Sequence, residues 1–182
     1  MAQVPATAEE LIASGYKARK EHRPEQAKEI FSDAVRLSRK AADSTLLASS
    51  LVGLGQTERD LNHTDLALQH YREAVGILRT SAHRLRFAHT IRHLADLFRK
   101  LGSRQDALAC YAEALKVYRE HAETPPLDLA NTLRGFALLK GDLGASEEAK
   151  SMWLEARSLY GSVDVQAGVE ESERQVARLM AK

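Results

Sequence analysis

Cysteine is nearly absent: Cys110 is the only one in 182 residues, so the chain has no means of forming an internal disulfide. It lies among alanines beside Tyr111, where a thiol behaves as a small packed group, and a reducing cytoplasm is the expected setting. Proline is scarce as well, with 4 residues, and aromatic residues make up only 5% of the chain. That argues against ring-rich, turn-rich sheets and for helices. No apolar run approaches the roughly 18 residues that a membrane span needs, and Met1 to Glu10 has no basic stretch followed by an apolar one. Neither a membrane contact nor a signal peptide is expected. An excess of one charge is missing too. The 26 basic residues face 25 acidic ones, a formal net charge of +1, too little for general nucleic-acid binding. Nucleophile-elbow, phosphate-loop and dinucleotide glycine patterns do not occur, so the expectation is a protein that is not an enzyme and carries no cofactor.

What the sequence does contain is a repeat. Ala107, Tyr111 and Ala114 recur as Ala27, Phe31 and Ala34, as Ala67, Tyr71 and Ala74, and as Ala149, Trp153 and Ala156, at intervals of 40, 40 and 42 residues. Offsets of four and seven place the two small residues and the ring on one helical face, where a neighbouring helix comes close and the ring fills the remaining space. No copy can close a core alone, so each must stack on the next. The join inside each hairpin repeats at the same intervals through His22, Asn62, Gly102 and Gly144, residue types suited to the left-handed end of a helix. Ser103 and Ser146 are then placed to cap the helices that follow.

In chain order, residues 1–6 are expected to fray, and Thr7-x-x-Glu10 reads as a capping box opening a first helix. Pro24 opens its partner. The spacing predicts an all-α protein counted as one domain, with hairpin repeats over about 7–42, 43–82, 83–123 and 124–161. The two extra residues of the last interval fall at Thr124-Pro125-Pro126, in a loop between repeats. A terminal helix over about 163–181 carries an apolar stripe of Val165, Val169, Val176, Leu179 and Met180, with Glu170, Glu171, Glu173, Arg174 and Arg178 around it. It either caps the array or pairs with a second copy to make a homodimer.

These residues resemble the tetratricopeptide repeat family, whose second helix carries alanine, aromatic, alanine at these offsets. The first-helix positions fit as Ile91, Leu94, Ala95 and Phe98 in the third copy and as Leu51, Leu54 and Gly55 in the second. The fourth copy fits less well, with Leu133, Phe136 and Ala137 followed by Lys140, and the first keeps Leu11 and Gly15 but has Ser14 and Ala18. The period exceeds the family's ordinary length of about 34 residues and is similar to the long-helix kinesin light chain type. The resemblance implies a right-handed α-α superhelix of four helical hairpins plus a capping helix, with a concave groove lined by the first helix of each hairpin and used to bind protein segments.

If Ile91, Leu94, Ala95 and Phe98 face the hairpin interior, then His89, Arg92, His93, Asp96 and Arg99 face the groove. The corresponding residues are Tyr16 and Arg19 in the first copy, Gln56 and Arg59 in the second, and Asn131 and Arg134 in the fourth. Arginine predominates among them, so the expected partner is an acidic protein or peptide segment with one or two apolar anchors. A sensory module for a small signalling peptide or ligand, and a self-associating structural module, are the alternatives. Tyr16 is the only groove aromatic, which does not suit single-stranded nucleic acid. His89 and His93 stand at metal-ligand spacing with Asp96 three residues on, but Arg92 between them opposes a cation, and no metal is expected.

Overall fold

A computed structural model describes residues 6–181 as helices joined by short turns, with no strand among the described residues. Of the frayed start expected over residues 1–6, all but residue 6 lies outside the described part. The helices are α1 (Ala8–Lys20), α2 (Pro24–Lys40), α3 (Ser44–Asp60), α4 (Thr64–Arg79), α5 (Arg84–Lys100), α6 (Arg104–Glu120), α7 (Pro126–Asp142), α8 (Ser146–Ser162) and α9 (Gln166–Met180). They gather into two compact units, one ending at Arg84 and the other beginning at Leu85. That division falls at the start of α5, one residue into the third hairpin.

Local chemistry explains where each helix starts and stops. Thr7 accepts from the Glu10 backbone N–H while the Glu10 carboxylate accepts from the Thr7 N–H, so the expected capping box is formed. Pro24 and Pro126 occupy the first helical positions of α2 and α7, where a missing N–H costs nothing. His22, Asn62, Gly102 and Gly144 all take positive φ, between 57° and 80°. In each case the next residue donates to a carbonyl five positions back: Arg23 to Ala18, His63 to Glu58, Ser103 to Phe98 and Ala145 to Lys140. Ala42 and Asp164 close two further turns in the same way. The two serines behave differently from the expectation. Ser103 stands at the cap position of α6 without a side-chain cap bond, and Ser146 is already inside α8, because the preceding turn satisfies the chain through its own carbonyls.

The repeated alanines and rings form the core of each unit. Ala27, Ala34, Ala67, Ala74, Ala107, Ala114, Ala149 and Ala156 are all 0% exposed, and Phe31, Tyr71, Tyr111 and Trp153 are fully buried with them. In the first unit the Phe31 ring packs against glycines of two helices: a Cβ built on Gly53 would stand 2.1 Å from a ring carbon, and one on Gly15 2.7 Å away. In the second, Gly135 makes room for Tyr111 and Gly168 for Tyr160 in the same way. Leu66, Leu101 and Leu143 are between 40% and 46% exposed, since they sit at or beside the turns.

α9 docks on α8 along the expected stripe, except at Met180, with two small residues at the centre of the contact. Gly168 and Ser172 are its buried residues, Val169, Val176 and Leu179 are half-buried, and Met180 is 69% exposed. The close approach of Tyr160 to Gly168 turns the helix, so that the small residues face inward and the branched ones flank them.

The first unit also buries a carboxylate that the pattern did not single out. Glu58 is 2% exposed, accepts from His63 Nδ1 at 2.7 Å and pairs with Lys28 Nζ at 3.0 Å. Burial pushes its pKa up, but the bonds from His63 and Lys28 outweigh that and hold it below the ordinary value of 4.5. Stability from a group with a depressed pKa is present above the unfolded value and is lost as pH falls through the folded one. Glu58→Gln is therefore expected to lower stability by about 2 kcal/mol at neutral pH. The difference should shrink towards zero well below pH 4.5. Urea melts of both proteins across pH 3 to 7 check this, and a penalty that is independent of pH would assign Glu58 a packing role only.

Candidate peptide-binding faces

The residues assigned to the groove divide between the two units. In the first unit Tyr16 is 39% exposed and meets Phe31 edge-on, with ring centroids 5.1 Å apart. Arg19 of α1 reaches across to α3, where its Nε and Nη2 donate to Asp60 Oδ2 at 2.9 and 2.7 Å and its Nη1 donates to Gln56 Oε1 at 2.5 Å. Gln56 is buried by this contact, and Arg59 lies half-buried, 3.9 Å from the other Asp60 oxygen. The face here is thus a set of arginines already gathered around a carboxylate.

The second unit holds the remaining seven residues, in a polar cluster on α5 and in separate pairs on α7. Arg92 and His93 are buried, at 8% and 6% exposure, where the helical wheel had placed them on an open face. Arg92 Nη1 donates to Asp96 Oδ2 at 2.9 Å, and its Nη2 donates to His93 Nε2 at 2.8 Å. The other Asp96 oxygen accepts from the Tyr111 hydroxyl at 2.5 Å, and Arg99 stands beside the same hydroxyl. Burial first, and then the Asp96 charge, push the Tyr111 pKa far up, so the phenol remains a donor. His89 lies 3.2 Å from His93 through their Nε2 atoms and turns its Nδ1 towards Asp128 of α7 at 3.4 Å. That contact lowers the Asp128 pKa, against the opposing effect of burial.

Two observations bear on the metal expectation. The Arg92 guanidinium occupies the Nε2 lone pair of His93 that a cation would need. No group of three or more ligand-type side chains is poised for a metal among the described residues.

On α7, Arg134 forms a two-point fork with Glu171 of α9, Nε to Oε2 at 2.6 Å and Nη2 to Oε1 at 2.7 Å. Asn131, one turn earlier, accepts from the Tyr160 hydroxyl at 2.9 Å. The hydrogen bond to Glu171 outweighs burial and raises the Arg134 pKa, so the guanidinium stays charged.

Successive first helices within a unit are therefore cross-linked by polar pairs: Arg19 to Asp60, His89 to Asp128, and Arg134 to Glu171. The helical pattern does not single out the three carboxylates. Asp60 and Asp128 sit at helix ends, where a wheel is least informative. Glu171 was counted with the polar back of the terminal helix, yet it lies between Gly168 and Ser172, and those two small residues mark the close-packed face. The arginine excess inferred from the groove residues alone is thus offset on the faces themselves.

Fold and site together define a class of protein: helical-hairpin repeats of a kind that generally serves as a protein-protein interaction module. The chain belongs to the tetratricopeptide repeat family, whose models match residues 6–80 and 87–124. Solved structures share the fold at low sequence identity. BtubC (BKLC) from P. vanneervenii is 16% identical, with a TM-score of 0.72 over 95% of this chain and 79% of that one. Nearly identical repeats of kinesin light chain type from Podosopora anserina are 13% identical, with a TM-score of 0.74 over 93% of this chain and 82% of the other. A Signal Transduction ATPase with Numerous Domains from Pyrococcus horikoshii, which carries a tetratricopeptide repeat sensor, is 14% identical, with a TM-score of 0.78. The match covers 93% of this chain but only 26% of that larger protein. No curated protein sequence matches the chain. No helix among the described residues is long and apolar enough to cross a membrane.

Proposed function

We propose that this protein is a cytoplasmic interaction scaffold that binds an acidic segment of a partner protein on its first-helix faces. Repeats of this family are interaction modules, and the chemistry of these faces supports the finer reading. The observation that carries it is the Arg134 fork: a guanidinium 40% exposed at its side chain, fixed in orientation and already shown by Glu171 to seat a carboxylate at two points. Arg19 holds Asp60 in a comparable way in the other unit. Because resident carboxylates offset these arginines, the attraction is local, and a partner binds by exchanging its own carboxylates for theirs. Half-buried Leu138 on α7, one turn beyond Arg134, offers an apolar anchor beside the fork.

Fluorescence anisotropy with an Asp-rich peptide carrying one leucine, against a Lys-rich counterpart, tests the reading. The acidic peptide is expected to bind and the basic one not. Arg134→Glu should weaken binding by at least about tenfold, since it replaces a charge-assisted fork with repulsion. Affinity should also fall as the Debye length shrinks below about 8 Å. Equal binding of the basic peptide, or indifference to both salt and the reversal, would overturn it. The repeat sensor of the Pyrococcus horikoshii protein favours a second reading, in which the bound segment is a signalling peptide or ligand.

A further inference from the structure

α9 carries three carboxylates, and all but one of them is answered on α9 itself or on the preceding helix. Glu170 is bridged to Gln166 and Arg174 on the same helix, and Glu173 pairs with Arg157 of α8 at 3.6 Å. Glu171 alone among these turns to α7, and there it occupies the Nε–Nη2 edge of Arg134. Neither partner is sealed in: the side chains are 26% and 40% exposed, so solvent or a ligand reaches the pair without opening the core. Nor does the pair hold α9 in place by itself. The Tyr160 ring packs against Gly168, Val169 lies against Gly161, and Ser172 is fully buried, its hydroxyl turned back to the Gly168 carbonyl of its own helix. The other arginine forks differ. Arg92 is buried and tied to its own helix, and Arg19 is fixed by Gln56 as well as Asp60.

We infer that Glu171 is a built-in competitor for the partner's carboxylate: the terminal helix places it on Arg134 and thereby regulates access to that face. This rests on the reading of an acidic partner segment. A free guanidinium fork would be desolvated and reoriented each time a ligand arrived, whereas an occupied one is held in its binding geometry and released only to a carboxylate that offers more contacts than Glu171 does. The device sets an affinity threshold. A segment with a single acidic residue gains nothing over the resident glutamate, while one with an acid and an apolar anchor at Leu138 does.

The test uses the full chain and a fluorescein-labelled hexa-aspartate peptide, followed by anisotropy at fixed ionic strength. Glu171→Gln keeps the side-chain shape and is expected to tighten binding about tenfold, the value of one charge-assisted interaction released. Glu171→Asp, which draws the carboxylate back by one methylene, should tighten it in the same direction by a smaller factor, and serves if the glutamine variant does not fold. Arg134→Gln should bind more weakly than the unaltered chain, and adding Glu171→Gln to it should restore nothing. A merely structural ion pair would lower thermal stability in these variants without raising affinity. If the unaltered chain binds and loses affinity in Arg134→Gln, yet neither Glu171 variant binds more tightly, competition is overturned and the acidic-segment reading stands. If no variant binds the peptide, that reading fails and the inference with it.

Discussion

Arginine in place of Ala74 is expected to unfold the unit that ends at Arg84, and arginine in place of Ala114 the unit that begins at Leu85. Both alanines are 0% exposed and stand one helical turn from a fully buried ring, Tyr71 and Tyr111 respectively. A guanidinium cannot snorkel out of such a site. Overpacking costs about 1 to 3 kcal/mol, and an unpaired buried charge adds several more. A total of about 5 kcal/mol or more is comparable with the whole stability of an ordinary domain. Circular dichroism melts read the result directly. Variants that melt within about 2 °C of the unaltered protein would remove the helix register on which the fold description depends.

The second large effect concerns a glycine. Gly53→Ala places a methyl 2.1 to 2.6 Å from three carbons of the Phe31 ring, which is itself 0% exposed and held from the other side by Gly15. The ring has no free volume to enter, so α3 must move away from α2, at an expected cost of about 3 kcal/mol. Gly76→Ala is the matched control. It lies inside α4 with nothing within 4 Å of the added carbon, and should stabilise by about 0.8 to 1 kcal/mol through helix propensity alone. Opposite signs in chemical denaturation are the expected outcome. Two substitutions of the same sign would mean that propensity, not contact with Phe31, governs Gly53.

Much of this architecture was legible in the chain. The Ala27, Phe31, Ala34 pattern and its three copies predicted the close-packed faces, because a small-large-small arrangement at helical spacing has few other uses. His22, Asn62, Gly102 and Gly144 marked the turns through backbone conformation, which is a local property. The site was less legible, for a physical reason. A helical wheel sorts residues by the periodicity of their own helix, but Arg92 and His93 are buried by what packs around α5, and Arg19 and Arg134 are answered by Asp60 and Glu171 from the next first helix. Polar pairing between helices has no sequence period. Glu58 was hidden in another way: it stands where the third repeat has Phe98, so a position read as apolar contains a charge whose partners are Lys28 and His63.

That substitution has a consequence for how the chain assembles. Arrays of similar hairpins risk slipped pairing, in which one hairpin docks on the wrong neighbour, because the alanine and ring pattern is shared by all of them. The place held by Glu58 in the second repeat is held by Ala18, Phe98 and Lys140 in the others, and Lys140 is committed to Glu148 at 2.6 Å and stacked over the Phe136 ring at 5.5 Å. A fourth hairpin that took the second one's place would set Lys140 against Lys28, two like charges where a buried carboxylate belongs. A third hairpin there would leave Lys28 facing Phe98 with its charge unanswered. The repeats therefore share a pattern of small residues and rings but not of charges, and the charges beneath the turns favour one neighbour for each hairpin over the others.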